Sequence, residues 1–425
     1  MSMPLIGNHI SKRHLRYFRE TLFKGTTFLA LACVLGALLF LLTAVVIRAY
    51  EALVTTEISL SVVFPTPITP ETLEKNLERN NLKTLFSSAL VQECPFLQTP
   101  FQKMEALDLI SQGAKEALKR KLQEHFQKHN TPVRRLKLWV LSSDEADRFF
   151  KGKSPFFRAH PSSLSKTAQE VLETLMGQKK TRLRFNITFF SANDSMSPEL
   201  AGICGAFWGS VLVLLVSFVF AFPLGIGTAL YIEELNPKSW WVKWMEVKLN
   251  NLASVPSALF GLLGFILFDY WLEFPRPSPL MGGLTIGLMT APLLMVTSRV
   301  ALQSVPANVR TSAQALGATK AQTMIQHVLP IAFPQIITAT LLTLARSLGE
   351  TAPHLMVGMA AFVGDTPSHL TSPATTLPSQ IFLWARSSEP GFLSKASGGI
   401  LALFFLLLLI NICAFSLRRF FKRAE

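Results

Sequence analysis

Two ionisable residues interrupt an apolar run near residue 350, Arg346 and Glu350. A charge deep in a bilayer is costly, so such residues face an interior or a pathway. Read as one helix, their spacing of four puts both on one face. Two readings stay open. In one, the pair neutralises itself, or the charge lies near a helix end and snorkels. In the other, Arg346 offers its planar donor fork to an oxyanion, and Glu350 holds the guanidinium when no anion is present. Arg299, at the end of another apolar run, is either a second cation on an anion path or a basic anchor. Covalent chemistry has no such foothold. Gly152-Lys153-Ser154 would need a glycine where Asp147 stands, so there is no Walker A loop and no ATP hydrolysis by this chain itself. The histidines lack metal-ligand spacing, and His354, beyond Pro353, reads as an interfacial residue. Cys33, Cys94, Cys204 and Cys413 are too scattered for a disulfide scaffold or a zinc site.

Composition says what must position these residues. Of 425 residues, 49% are hydrophobic and 16% charged. Soluble domains carry about 25% charge, which argues against a soluble enzyme. The net charge of +14 then points to basic loops at a membrane surface rather than to nucleic acid. A spanning helix needs roughly 20 apolar residues. Windows at 26–47, 200–232, 249–268, 277–298, about 330–350 and 396–417 meet this, giving six spans. The first is longer than the core of a signal peptide and reads as a retained anchor. Pro223 and Pro256 should kink spans 2 and 3, and Gly205/Gly209 and Gly283/Gly287 offer close-packing faces.

Basic residues set the orientation. Lys12, Arg13, Arg16, Arg19 and Lys24 precede the first span; Lys238, Lys243 and Lys248 follow the second; Arg299, Arg310 and Lys320 follow the fourth; Arg418, Arg419, Lys422 and Arg423 end the chain. The other short loops hold Arg276, Arg386 and Lys395. Both termini are therefore expected in the cytoplasm. Residues 51–198 then face outward and have a mixed, soluble composition. Strand patterns at 58–64, 136–141 and 182–190 and helical patterns at 70–90, with Thr72 and Lys75 on a polar face, and at 101–129, with Lys115 and Lys119, predict a small α+β domain. Asn186-Ile187-Thr188 fits a glycosylation sequon.

Residues 305–334 are too polar to span. Ala313, Leu316 and Met324 give a helical beat, Gly317 can close a tight turn, and Leu329-Pro330 opens the next span. This predicts two short helices across the membrane face, or a plain connecting loop. The order Thr311-Ser312-Ala313-Gln314-Ala315-Leu316-Gly317, then Leu329-Pro330, resembles the coupling loop of ABC importer permeases. Their acidic position is filled by Thr311, and His327 replaces a hydrophobic residue. Three further stretches are similar to signatures of phosphate importer permeases: Leu-Ala-Ser-Val-Pro-Ser-Ala-Leu-Phe-Gly-Leu-Leu-Gly at 252–264, Leu-Ala-Arg-Ser-Leu-Gly-Glu-Thr-Ala-Pro at 344–353, and Leu-Pro-Ser-Gln-Ile-Phe-Leu-Trp-Ala at 377–385. The Glu-Thr-Ala-Pro ending resembles the PstA subunit rather than PstC. The likeness covers residues 198–425 closely, the first span loosely, and not 51–198.

The resemblance implies an all-α polytopic membrane protein of the type I ABC importer permease fold, with six transmembrane helices and a small α+β periplasmic domain inserted between helices 1 and 2. Its parts would be a cytoplasmic segment 1–25, helix 1 at 26–50, the insertion 51–198, a permease core 199–417 with its coupling loop at 303–330, and a basic tail 418–425. It implies a non-catalytic inner-membrane subunit of a phosphate importer, with Arg346 and Glu350 on the translocation path. Thr311, Ser312, Ala313, Gly317, Leu329 and Pro330 would couple to the ATPase. Expected partners are a PstC-like permease, two copies of a PstB-like ATPase that binds the ATP and Mg, a PstS-like periplasmic phosphate-binding protein, membrane lipid and inorganic phosphate. No cofactor in this chain and no nucleic acid are expected. Rival readings are a sulfate or molybdate permease and a membrane sensor built on a permease-like core.

Overall fold

A computed structural model describes residues 6–70, 82–129, 131–153, 164–235 and 239–423, with side chains described from residue 19 to 421. Thr72, Lys75 and Lys238, and the side chains of Lys12, Arg13, Arg16, Lys422 and Arg423, lie outside what is described. The chain divides into two units, Met1–Arg48 and Ala49–Glu425. The first is the body of helix α1 (Ile6–Leu53), whose last turn belongs to the second. From Arg19 onward α1 is long and apolar enough to cross a membrane.

The second unit opens with β1 (Val54–Ile68), the centre of an antiparallel sheet with β2 (Val133–Leu141) and β3 (Thr181–Phe185), in the order β2-β1-β3. Glu57 pairs with Leu141 and Val63 with Arg135 on one side, Val54 with Phe185 and Ile58 with Thr181 on the other. Successive strand residues point to opposite faces, so Ile58, Leu60, Val62 and Phe64 share one. With Leu136, Leu138 and Val140 they form a core under α2 (Leu82–Glu93), α3 (Pro100–Leu107), α4 (Ala114–His129) and α6 (Lys166–Gly177). Across the sheet, buried Glu57 accepts hydrogen bonds from Arg182 and Arg184, and Arg182 stacks on Trp139 at 4.1 Å. Cys94 is buried in the core. Burial, then the neighbouring Glu93 carboxylate, pushes its thiol up to about 11, so it is inert.

Three expectations for this region need correction. The helix expected over 101–129 is two, because Ile110 leaves the helix to bridge Ser142 and Gly113 packs under Leu200, where a Cβ would lie 2.6 Å from a methyl. The strand expected over 182–190 stops at Phe185, because Asn186 caps α7 (Ile187–Ser191) by accepting from the Phe189 amide. The Asn186 amide also donates to the Ala52 carbonyl and is buried, so the sequon is closed to modification in the folded chain. Of the helix expected over 70–90, the described part begins at Leu82.

The apolar half contains α8 (Cys204–Leu230, continued by a π turn to Leu235), α9 (Trp240–Leu252), α10 (Ser257–Gly264, continued by a π stretch to Trp271), α11 (Pro279–Gln303), α12 (Ala307–Ala315), α13 (Lys320–Thr323, with a π stretch to Val328), α14 (Leu329–Leu348), α15 (Thr351–Met356), α16 (Leu377–Ala385) and α17 (Pro390–Arg423). Among the described residues five helices of the whole chain are long and apolar enough to cross a membrane, and six if the bent α9–α10 pair is one span. The third expected span is therefore not straight: α9 and α10 meet at 101°. Pro256 caps α10 and has no N–H to continue a ladder from α9. Pro223 stays inside α8. The two glycine pairs pack within the chain. A Cβ on Gly283 would meet Val216 at 2.5 Å, one on Gly287 Phe220 at 2.7 Å, and one on Gly209 the Thr375 carbonyl at 2.0 Å.

A polar joint ties the α+β region to the start of α17. The helix α5 (Asp144–Gly152) supplies Lys151, which donates to the carbonyls of Glu51 and Val54, each at 2.7 Å, and pairs with Asp147. Asp147 accepts from the Thr56 amide, Glu51 from the Ser394 hydroxyl at 2.9 Å, and Asp144 lies hard against Gly391. Buried Lys395 donates to the Ala201 carbonyl.

Candidate functional site

Arg346 lies in the last turn of α14, on the wall of a cavity of about 270 Å³ shared with Ser254, Ser257, Met289, Thr343 and Glu350. The helix ends at Leu348, before Glu350. Pro353 explains the break: its ring would clash with the Gly349 carbonyl, so the chain turns extended at Glu350 (φ −76°, ψ 105°) and restarts as α15. The expected single helical face for Arg346 and Glu350 is thus absent. Among the described residues they form no ion pair. Glu350 instead accepts from the Ser257 hydroxyl at 3.0 Å.

The first turn of α10 positions that serine. Gly261 brings α10 against α15, where a Cβ would stand 2.8 Å from the Pro353 Cα and 2.9 Å from the Met356 Cβ. His354 is fully buried rather than interfacial; its Nδ1–H donates to the Glu350 carbonyl at 2.8 Å and steadies the extended residue. The site therefore offers an exposed guanidinium with its donors free among the described residues, several hydroxyls, and one carboxylate already held. Such a set can bind a tetrahedral oxyanion, with the arginine fork as its principal donor.

A second polar site surrounds the loop between α11 and α14. Arg310 forks onto Glu234, with Nη2 2.6 Å from Oε1, and donates to the carbonyls of Val305 (2.7 Å) and Leu302 (2.8 Å) at the end of α11. Arg299 binds Glu233 at 2.7 Å and also Glu246. Arg299 is thus committed to two carboxylates, and the reading of it as a free cation on an anion path is corrected. α12 ends in a Schellman motif: the Ala318 amide reaches the Ala313 carbonyl, the Gly317 amide reaches Gln314, and Gly317 has φ +91°. Thr319 and Gln322 form a capping box that starts α13.

Of the residues expected to couple, Thr311, Ser312 and Gly317 are exposed, Ala313 is buried against its own chain, and Leu329 is half-buried. Ala313 thus supports the loop from within. Leu329-Pro330 does not open a span either: one helical run covers Lys320 to Leu348, and the π stretch Met324–Val328 widens the ladder just before the proline. The structure brings Arg346 and Glu350 to one cavity and the six loop residues to one end of the bundle. Sequence reasoning missed Ser257, Glu233, Glu234, Glu246 and the pairing of Arg310. Acidic residues beside the last turn of an apolar run, with two arginines following another, were the signal.

Residues 221–424 match the family described as binding-protein-dependent transport system inner membrane component, and residues 11–156 match a domain of unknown function, DUF3333. The phosphate transport system permease protein PstA of Yersinia pestis is 32% identical over 213 residues, half of this chain and 71% of that protein. The probable ABC transporter permease protein YqgH of Bacillus subtilis is 29% identical over 197 residues, 45% of this chain and 63% of that protein. A solved chain of the MetNI methionine ABC transporter, in an inward-facing conformation, is 16% identical, covers 52% of this chain and 95% of its own, and superposes with a TM-score of 0.41. The chain belongs to the PstA-like family of ABC permeases, multi-pass components of the inner membrane. The separate DUF3333 match covers α1 from residue 11 and the α+β region as far as residue 156, short of α6 and β3.

Proposed function

We propose that this chain is one permease half of an ATP-driven importer of inorganic phosphate. The observation that carries the reading is the cavity in which Arg346 stands with its donors free, beside the carboxylate of Glu350 and the hydroxyl of Ser257. The arginine's planar fork matches two oxygens of a tetrahedral anion. Glu350 is held by Ser257 and its charge sets the field around the guanidinium. It limits how tightly an anion is held, and a transport site must release what it binds.

In this reading both termini and the α12–α13 loop face the cytoplasm, and residues 51–198 face the periplasm. The exposed side of the loop, Thr311, Ser312, Gln314 and Leu316, docks a PstB-like ATPase that binds the ATP and Mg. Arg310 carries that contact to Glu234 at the end of α8 and to the end of α11. A PstC-like permease completes the pathway, and a PstS-like binding protein delivers phosphate. The Yersinia relative's name, a phosphate transport system permease, supports the substrate.

The test is uptake of labelled phosphate by cells carrying the importer, with excess unlabelled phosphate, sulfate or molybdate as competitor. Competition by phosphate alone is the expected result. Competition by sulfate or molybdate would transfer the site to another oxyanion. Absence of uptake together with absence of a copurifying ATPase would favour a membrane sensor.

A further inference from the structure

Helix α9 has two apolar faces, and the chain covers one. Val242, Met245 and Leu249 pack into the core formed with α8, α11 and α14, and Glu246 on that side pairs with Arg299. The opposite face presents Trp240, Trp241, Trp244 and Val247, all exposed, with Trp240 at 74%. Trp241 and Trp244 stack at 5.0 Å. Lys248 lies over the Trp244 ring, its Nζ 5.5 Å from the centroid, so its stem follows the apolar face and its charge reaches the rim. Lys243 is exposed on the other rim.

Direction decides what covers this face. α10 and its π stretch form an apolar run, and α9 departs from it at 101°. If α10 follows the span direction, α9 runs along the membrane plane. It lies at the end of the bundle that carries the α12–α13 loop, because Glu246 and Glu233 meet on Arg299 there. Tryptophan is the residue of the hydrocarbon boundary, with an apolar body and one N–H for the headgroup layer. Two lysines flanking three tryptophans are complementary to a negatively charged headgroup.

We propose that Trp240–Leu252 is an in-plane anchor: its tryptophan face lies in the leaflet on the side of the α12–α13 loop, and Lys243 and Lys248 hold the headgroups of anionic phospholipids. The proposal rests on the membrane-spanning reading and is independent of which anion is transported.

The test uses the full chain with its native cysteines replaced and one nitroxide label, reconstituted in phosphatidylcholine vesicles with or without about one-third phosphatidylglycerol. Collision with oxygen against a water-soluble nickel reagent should place a label at Val247→Cys about 5–10 Å below the phosphates, and one at Asn250→Cys nearer water. Annular phosphatidylglycerol, read by lipid spin-label exchange, should be enriched and should fall about fivefold for each lysine lost in Lys243→Gln and Lys248→Gln. Both lysines are exposed, so these variants fold. A Val247 label shielded from both reagents would mean that a protein surface covers the face. A water-exposed label, or phosphatidylglycerol enrichment unchanged in the lysine variants, would equally overturn the proposal.

Discussion

Arg346 shows how little one residue's chemistry depends on its neighbour in sequence. Glu350 is four positions away, yet the break at Pro353 hands the carboxylate to Ser257 and leaves the guanidinium facing the cavity. Arg346→Lys keeps the charge and loses the fork. We expect both this variant and Arg346→Ala to lower phosphate uptake about ten- to hundredfold, because charge-assisted hydrogen bonds contribute about 1.5–3 kcal/mol. Initial-rate uptake with the complex assembled checks this, and near-normal transport by the lysine variant would remove the bidentate role. Ser257→Ala should impair transport less, since it frees Glu350 without removing a donor fork. Titration gives a second prediction. Burial, above all, raises the carboxyls of Asp144 and Glu199 above their ordinary range, against the opposing pull of Arg148 on Asp144 and of hydrogen bonding on Glu199. A carboxyl raised on folding favours the folded state below its unfolded pKa, and that contribution is lost as pH rises through the folded value. Asp144→Asn and Glu199→Gln should therefore flatten the loss of stability that sets in as pH rises above the ordinary carboxylate range, read in thermal melts of the solubilised chain.

Elements were legible in the sequence wherever periodicity alone decides. Two strands lie where Val, Ile, Leu and Trp accumulate, β3 where Leu183 and Phe185 alternate with arginines, and the apolar windows fall on α1, α8, α11, α14 and α17. What could not be read was set by contacts distant in sequence. The split between α3 and α4 needs Ser142, the early end of β3 needs Ala52, and the partner of Glu350 is 93 positions away. The candidate site was legible as two residue types and illegible as a pair. Gly317 belongs to this scale, because its φ of +91° is what turns α12 into α13. No atom would meet a Cβ there, so Gly317→Ala should cost about 1–2 kcal/mol in backbone strain alone. It should weaken ATPase copurification without lowering membrane content, whereas Gly317→Pro should abolish it. Undiminished copurification by both would reduce the loop to a connector. Enlarging Ala313 should lower membrane content instead, since that residue faces its own core.

For the whole molecule the proposed orientation has a direct check. Gln127 and Gln314 are both exposed. In a cysteine-free background, Gln127→Cys should react with an impermeant maleimide in spheroplasts, and Gln314→Cys only after the membrane is opened. The reverse pattern would invert the assignment.

The polar joint between α5 and the start of α17 also has a mechanical meaning. Lys151 grips two backbone carbonyls below β1, and Glu51 and Asp144 hold α17 at Ser394 and Gly391. Lys151 fixes the start of β1 through backbone, and the Glu51 side chain joins that point to α17 through Ser394, so a tilt of α17 should pull on the sheet. A small rotation of that helix should then be amplified at the far edge of the α+β body. On that mechanics the domain would serve as a pointer to the angle of the helix it is tied to.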